Sequence, residues 1–121
     1  ALGEQITADY LTTQGYKILA KNYHSAYGEI DIIAETDNII AFVEVKTRKE
    51  KGIATAREAV SKTKQVKIIQ TALLYLQENK IKKQPRFDVC EIYLDGKTGT
   101  IVTNVNFIKN AFTGDGFHAY I

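Results

Sequence analysis

A mixed central β-sheet covered by helices, in the order α-β-β-β-α-β-β, is the α/β fold class that the sequence predicts, and three observations predict it. Ile30, Ile32, Ile33 and Ala34 in one run, and Phe42, Val43 and Val45 in another, are apolar at both odd and even positions. Strands sandwiched between layers read this way, whereas half-solvated strands alternate. Segments with helical apolar spacing stand before these runs and after them. The chain has 121 residues, 45% of them hydrophobic and 25% charged, which is enough for one packed domain over residues 1–121 and hardly for two.

The first helix is expected from Leu2 to Gln14, with Leu2, Ile6, Tyr10 and Leu11 on its apolar face and Gly15 as its stop. Tyr16 to Tyr23 reads as the first strand, with Tyr16, Ile18 and Ala20 inward. The second and third strands are Tyr27 to Glu35 and Ile39 to Thr47. Between them lies Thr36-Asp37-Asn38-Ile39, whose Asp-Asn centre suits the positive φ angles of a tight hairpin turn. Thr47 to Thr55 is a basic, glycine-containing loop. A long helix follows from about Ala56 to Asn79, its buried stripe supplied by Val60, Val66, Ile69, Leu73, Leu74 and Leu76. Lys80 to Pro85 is a basic connector. Strands from Arg86 to Leu94 and from Thr100 to Val105 surround the turn Asp95-Gly96-Lys97-Thr98-Gly99. Ile108 to Phe112 is expected to form a last short helix, and the tail from Thr113 to be loose.

Several function classes are set aside at once. No apolar run approaches the roughly 20 residues that cross a bilayer, and Ala1-Leu2-Gly3-Glu4 does not resemble a secretory signal. A cytoplasmic protein without a membrane partner is therefore expected. Met is absent, which reads as a trimmed or incomplete first segment. The single Cys90 reads as a small buried hydrophobe in a reducing compartment. His24 and His118 lack partners at zinc spacing, and no Ser-His-Asp set, P-loop or dinucleotide fingerprint is present.

The chemistry is concentrated in Gly28-Glu29-Ile30-Asp31 and Glu44-Val45-Lys46. Side chains two apart on a strand share a face, so Glu29 projects with Asp31 and Glu44 with Lys46. If Asp37 and Asn38 are the two loop residues, Thr36 pairs with Ile39, Asp31 with Glu44 and Glu29 with Lys46. Facing carboxylates are normally destabilising, and a divalent cation between them would remove the penalty. A longer loop or a bulge would slip the register and send the two acids to opposite faces. Charges inside apolar strands are costly unless they face a cleft or a metal, and such conflicts mark functional sites.

The net charge of +2 is too small to announce a nucleic-acid binder. Its distribution is more pointed: Lys46, Arg48, Lys49, Lys51, Arg57, Lys62, Lys64 and Lys67 face only Glu50 and Glu58 within that stretch. Such an excess could follow a phosphate backbone or simply solvate a helix and loop, and charge alone does not decide between these.

Beyond the residues themselves, the chain resembles the small bacterial YraN-like proteins. The likeness rests on Gly3-Glu4, Gly15-Tyr16-Lys17-Ile18-Leu19, Lys21-Asn22-Tyr23, Gly28 to Ala34, Phe42 to Arg48, Lys64-Gln65, Arg86-Phe87-Asp88-Val89 and Asn110-Ala111-Phe112. That family is similar to the PD-(D/E)XK, or restriction-endonuclease-like, nucleases and to archaeal Holliday-junction resolvases. The resemblance implies a three-layer nuclease-like core acting on DNA, with Asp31, Glu44 and Lys46 in the motif positions. It also implies that Glu4 is the extra acid that resolvase-like members bring to the metal. Ile30 stands where the bare motif has Pro, as in resolvase-like relatives. Gln70 and Tyr75 have the wrong separation for the RecB-like helix motif.

Phosphodiester hydrolysis needs an activated water, neutralised phosphate charge and help for the leaving oxygen. Mg²⁺, or Mn²⁺ in its place, can supply all three from oxygen ligands. Asp31 and Glu44 are the expected ligands, with the Val45 carbonyl a third and Glu4 acting through water or at a second ion. Lys46 would orient the nucleophile and offset developing charge. Glu29 would hold Lys46 in place. Arg48, Lys49, Lys62, Lys64, Gln65 and Lys67 are the candidate contacts to nucleic acid. Each has a plainer reading: a cross-strand salt network, a solvated helix, or for Glu4 the dipole of the first turn. Asp88, beside Arg86, is expected to be a structural pair, and Tyr23 and Tyr27 to pack or to stack on an unpaired base. The expected function is that of a Mg²⁺-dependent DNA endonuclease, with a non-cleaving nucleic-acid-binding module as the alternative and a purely structural protein third. Acting on both strands of a junction would call for a homodimer.

Overall fold

The structure, a computed structural model, describes residues 2–49 and 60–113. Helix α1 spans Leu2–Thr13, strands β1, β2 and β3 span Lys17–His24, Glu29–Glu35 and Ile39–Lys49, helix α2 spans Lys62–Glu78, and β4 and β5 span Gln84–Leu94 and Val102–Phe112. The expected α/β order stands. The five strands form one sheet in the order β1-β2-β3-β4-β5. All neighbours are antiparallel except β3 and β4, which run parallel because α2 carries the chain back between them.

Each helix covers one face. Leu11 and Ala8 of α1 pack on Ile32, Ala34, Ala41, Val43, Cys90 and Ile92. Ile68, Ile69, Ala72 and Tyr75 of α2 pack on Ile33, Ile40, Phe42 and Phe87. This double cover is the physical reason that β2 and β3 are apolar at both parities. Cys90 is buried and free, as expected. Gly15 ends α1 at φ +91°, and Tyr16 N–H returns to the Leu11 carbonyl at 3.0 Å. Ser61 caps α2 by accepting the Lys64 N–H at 3.1 Å.

Three expectations are corrected. Ile108 to Phe112 is not a helix but the second half of β5, which reaches well past Val105. Phe112 stacks on Phe87 with ring centroids 5.3 Å apart, and Asn110, at φ +58°, donates its N–H to buried Asp88 at 2.9 Å. Pairing with β4 satisfies this backbone better than a helix of barely one turn could. The β2–β3 turn keeps the expected two-residue loop, but among the described residues the non-glycine positive φ angles belong to Asn22, Lys80 and Asn110 and not to the loop. Thr36 closes it instead, its N–H reaching the Ile39 carbonyl at 2.9 Å and its hydroxyl accepting the Ile39 N–H at 3.2 Å. Lys83 clamps the Thr36 carbonyl from outside at 2.7 Å. Finally, β3 continues to Lys49 because β4 pairs with it along that whole length, so only 50–55 of the expected loop falls beyond the strand. Those residues, the expected start of the long helix at Ala56, and the tail from 114 lie outside the described residues.

Candidate metal and phosphate site

The β2–β3 ladder pairs Glu35 with Ile40, Ala34 with Ala41, Ile33 with Phe42 and Ile32 with Val43, and it ends there. This is the register that the turn implied. One step on, Asp31 replaces the missing backbone partner: its Oδ2 accepts the N–H of Val45 at 2.8 Å. Strand β3 meanwhile stays paired with β4 through Glu44, Val45 and Lys46. The two strands therefore fork, with Asp31 and Glu44 on the inner edges of the fork.

The carboxylates do meet. Burial pushes the Asp31 carboxyl up from 3.8 to about 6; the Val45 amide opposes this, and the neighbouring charges of Glu44 and Glu4 reinforce it. Glu44 is buried and its Oε2 carries two ammonium groups, Lys64 Nζ at 2.5 Å and Lys46 Nζ at 3.7 Å. Lys64, expected only as a phosphate contact, is thus a member of the site. Burial pulls its ammonium down, but the hydrogen bond and charge of Glu44, with Asp31 and Glu29 beyond, outweigh that and leave it raised.

Glu4 reaches the same region from the first turn of α1, where its Oε1 accepts from Asn22 Nδ2 at 3.2 Å. Gly3 permits this approach. A Cβ on Gly3 would come within 2.8 Å of Thr47 Oγ1 and 3.2 Å of Val45 Cγ1, so the helix lies directly on β3. Asn22, which sequence reasoning did not single out for the site, takes φ 51° in the middle of β1. An Asn in an otherwise ordinary strand was the signal for it.

Glu29 does not sit opposite Lys46. Because the β2–β3 ladder has already ended, its cross-strand partner is His24 on β1, with Nε2 at 4.0 Å. Glu29 faces a cleft of about 320 Å³ lined also by Gly28, Ser61, Thr63, Lys64 and Lys67. Of the other basic candidates, Lys62 is exposed at the start of α2. Gln65 turns back to its own helix, donating to the Val60 carbonyl at 3.1 Å. Arg48 leans towards buried Glu91, Nε to Oε2 3.8 Å, and Lys49 lies against Gly99 in the β4–β5 turn. Among the described residues the basic stretch therefore divides, and Lys64 and Lys67 of α2 border the cleft. Lys51 and Arg57 lie outside the described residues.

Glu91 was also missed. It is 1% exposed, pairs in register with Lys46, and accepts from Tyr93 Oη at 3.2 Å and Asn106 Nδ2 at 3.0 Å. Asp88, by contrast, is the structural partner expected: Arg86 Nε and Nη2 bind its carboxylate at 2.8–3.0 Å. Tyr23 packs edge-on to Tyr75 and donates to Glu78, whereas Tyr27 is exposed beside the cleft.

Among the described residues no three His, Cys, Asp or Glu side chains stand together in a metal-holding group. The side-chain donor set is the Asp31–Glu44 pair. Such a set suits Mg²⁺, which keeps several waters and is commonly held by one or two carboxylates together with substrate phosphates.

A family model described as "Uncharacterised protein family UPF0102" matches residues 3–92, which takes in α1, the fork, α2 and most of β4. The chain belongs to this family. A UPF0102 protein of Caldanaerobacter subterraneus subsp. tengcongensis is 47% identical over 113 residues, covering 93% of this chain and 92% of that one. One of Clostridium botulinum (strain Loch Maree / Type A3) is 45% identical over 116 residues, 93% of this chain and 91% of its own. One of Sulfurihydrogenibium sp. is 54% identical over 81 residues, 66% of this chain and 70% of its own. Among the described residues, no helix of this UPF0102 member is long and apolar enough to cross a membrane.

Proposed function

We propose that this chain is a Mg²⁺-dependent endonuclease that hydrolyses phosphodiester bonds in DNA, of the PD-(D/E)XK kind that YraN-like proteins resemble. The supporting observation is the fork itself: half-buried Asp31 and buried Glu44 brought together, with Lys46 Nζ 3.7 Å from Glu44 on the same face. Apolar strands do not hold two adjacent acids without use for a cation. Bound there, Mg²⁺ would lower the pKa of a water and neutralise phosphate charge. Asp31 and Glu44 would hold it and Lys46 would orient the attacking water, while Lys67 at the cleft and Lys62 at the start of α2 would draw the phosphate backbone. Branched or structured DNA as the substrate, with two active sites in a homodimer, rests on the resemblance to resolvases.

A second reading, a nucleic-acid-binding module with little cleavage, is favoured by the meeting of two acids rather than three and by the ammonium already seated on Glu44. Duplex, single-stranded and four-way DNA, each with Mg²⁺, Mn²⁺ or EDTA, separate the two. The expected outcome is metal-dependent cleavage that Asp31→Ala and Glu44→Ala abolish while binding persists. Unchanged cleavage in both variants would refute the site, and tight binding without cutting on any substrate would establish the module.

A further inference from the structure

Lys64 stands where a helix disfavours it. It lies in the first turn of α2, between Lys62 and Lys67, and no acidic residue occupies that turn. Cations at a helix N-terminus oppose the macrodipole. Among the described residues, what offsets the cost is not in the helix: Glu44, with Asp31 and Glu29 beyond it, supplies negative charge to Lys64. Its Nζ is the shortest ionic contact of Glu44, and its side chain is 43% exposed while that of Glu44 is 6% exposed. One end of the pair is fixed in the sheet and the other is a long, half-free arm.

Lys46 and Lys64 already face Asp31 and Glu44, with Glu4 and Glu29 nearby, so a divalent ion arriving between the acids has to compete with ammonium groups for the Glu44 oxygen. We propose that Lys64 is a tethered counter-ion, holding the place of the metal on Glu44 and turning into the adjoining cleft when a divalent cation takes that oxygen. The inference rests on the metal reading given above. The cleft has room for the movement, being about 320 Å³ and already bordered by Lys64, Lys67, Ser61 and Thr63. There Lys64 meets a phosphate of the nucleic acid, so metal and phosphate each favour binding of the other, reciprocally. Lys46, on the same strand as Glu44, stays in place.

The test is Mn²⁺ titration of the whole chain, followed by electron paramagnetic resonance, in wild type, Lys64→Gln and Lys64→Arg without nucleic acid. Lys64→Gln is expected to bind Mn²⁺ about two- to fivefold more tightly, because removing a competing, half-exposed charge pair is worth about that ratio. It should also unfold at a lower temperature than wild type when metal-free and regain the difference with Mn²⁺. Lys64→Arg should behave as wild type. In the wild-type chain itself, Mg²⁺ should shift the side-chain resonances of Lys64 and leave those of Lys83, held on Glu35, in place, a readout that needs no variant. Equal or weaker Mn²⁺ binding by Lys64→Gln, with wild type binding normally, overturns the counter-ion alone. Absence of Mn²⁺ binding in every protein overturns the counter-ion and the metal reading together.

Discussion

Two carboxylates outside the fork show how differently an acid can serve this chain. Asp88 is fully buried and is held by the Arg86 guanidinium, whose Nη2 also binds Tyr16 Oη. Removing one partner of a buried pair strands the other charge, at a cost of about 3–5 kcal/mol. Asp88→Ala is therefore expected to lose that much in urea unfolding while its Mn²⁺ affinity stays at the wild-type value. Asp95 is half-buried and works through its turn, accepting the N–H groups of Thr98, Thr100 and Ile101 at 2.7, 3.0 and 2.8 Å. The Thr98 and Ile101 amides hold its carboxyl well below the ordinary value of 3.8. A folded-state pKa below the unfolded one gives stability that is fully present above the ordinary value and is lost as pH falls towards the folded one. Asp95→Asn should melt below wild type at neutral pH, and the gap should narrow steadily as pH falls below about 4.

At the scale of elements, the contact of α1 with β3 aligns Glu4 with the fork. At Gly3 two effects oppose each other. Alanine gains up to about 1 kcal/mol of helix propensity over glycine. Its Cβ, however, would lie 2.8 Å from Thr47 Oγ1 and 3.2 Å from Val45 Cγ1, both on stiff β-branched side chains, so the substitution should come out destabilising. Leucine is larger still, and overpacking of this size costs about 1–3 kcal/mol. Gly3→Leu is expected to lower the unfolding midpoint by that margin and to weaken Mn²⁺ binding by moving Glu4. Wild-type metal affinity in a folded Gly3→Leu protein would separate Glu4 from the site. The β4–β5 pair teaches a related lesson. Asn110-Ala111-Phe112 looks like a fragment of helix when taken alone, yet a left-handed Asn110 and the stacking of Phe112 on Phe87 make it the end of a strand.

For the whole molecule, charge placement matters more than the net +2. Arg48 and Lys49 turn to β4 and its turn, while Lys67 remains free to border the cleft beside the fork. Binding of duplex DNA should weaken linearly in log–log terms as salt rises. Lys67→Gln should reduce that slope by about one without shifting the unfolding midpoint. An unchanged slope would remove Lys67 from the phosphate path.

What the sequence determined by itself was whatever depends on neighbours along the chain. Period and apolar parity set the element order, and a two-residue loop set the β2–β3 register, which carries Asp31 to Glu44 whatever the φ angles of the turn. Only the tertiary structure decided the partners that come from distant elements: Lys64 on Glu44, Asn22 on Glu4, Arg48 on Glu91, and His24 rather than Lys46 for Glu29. The reason is physical. Local sterics and periodicity fix backbone direction, whereas a long charged side chain finds its partner through packing of elements that are not adjacent in sequence.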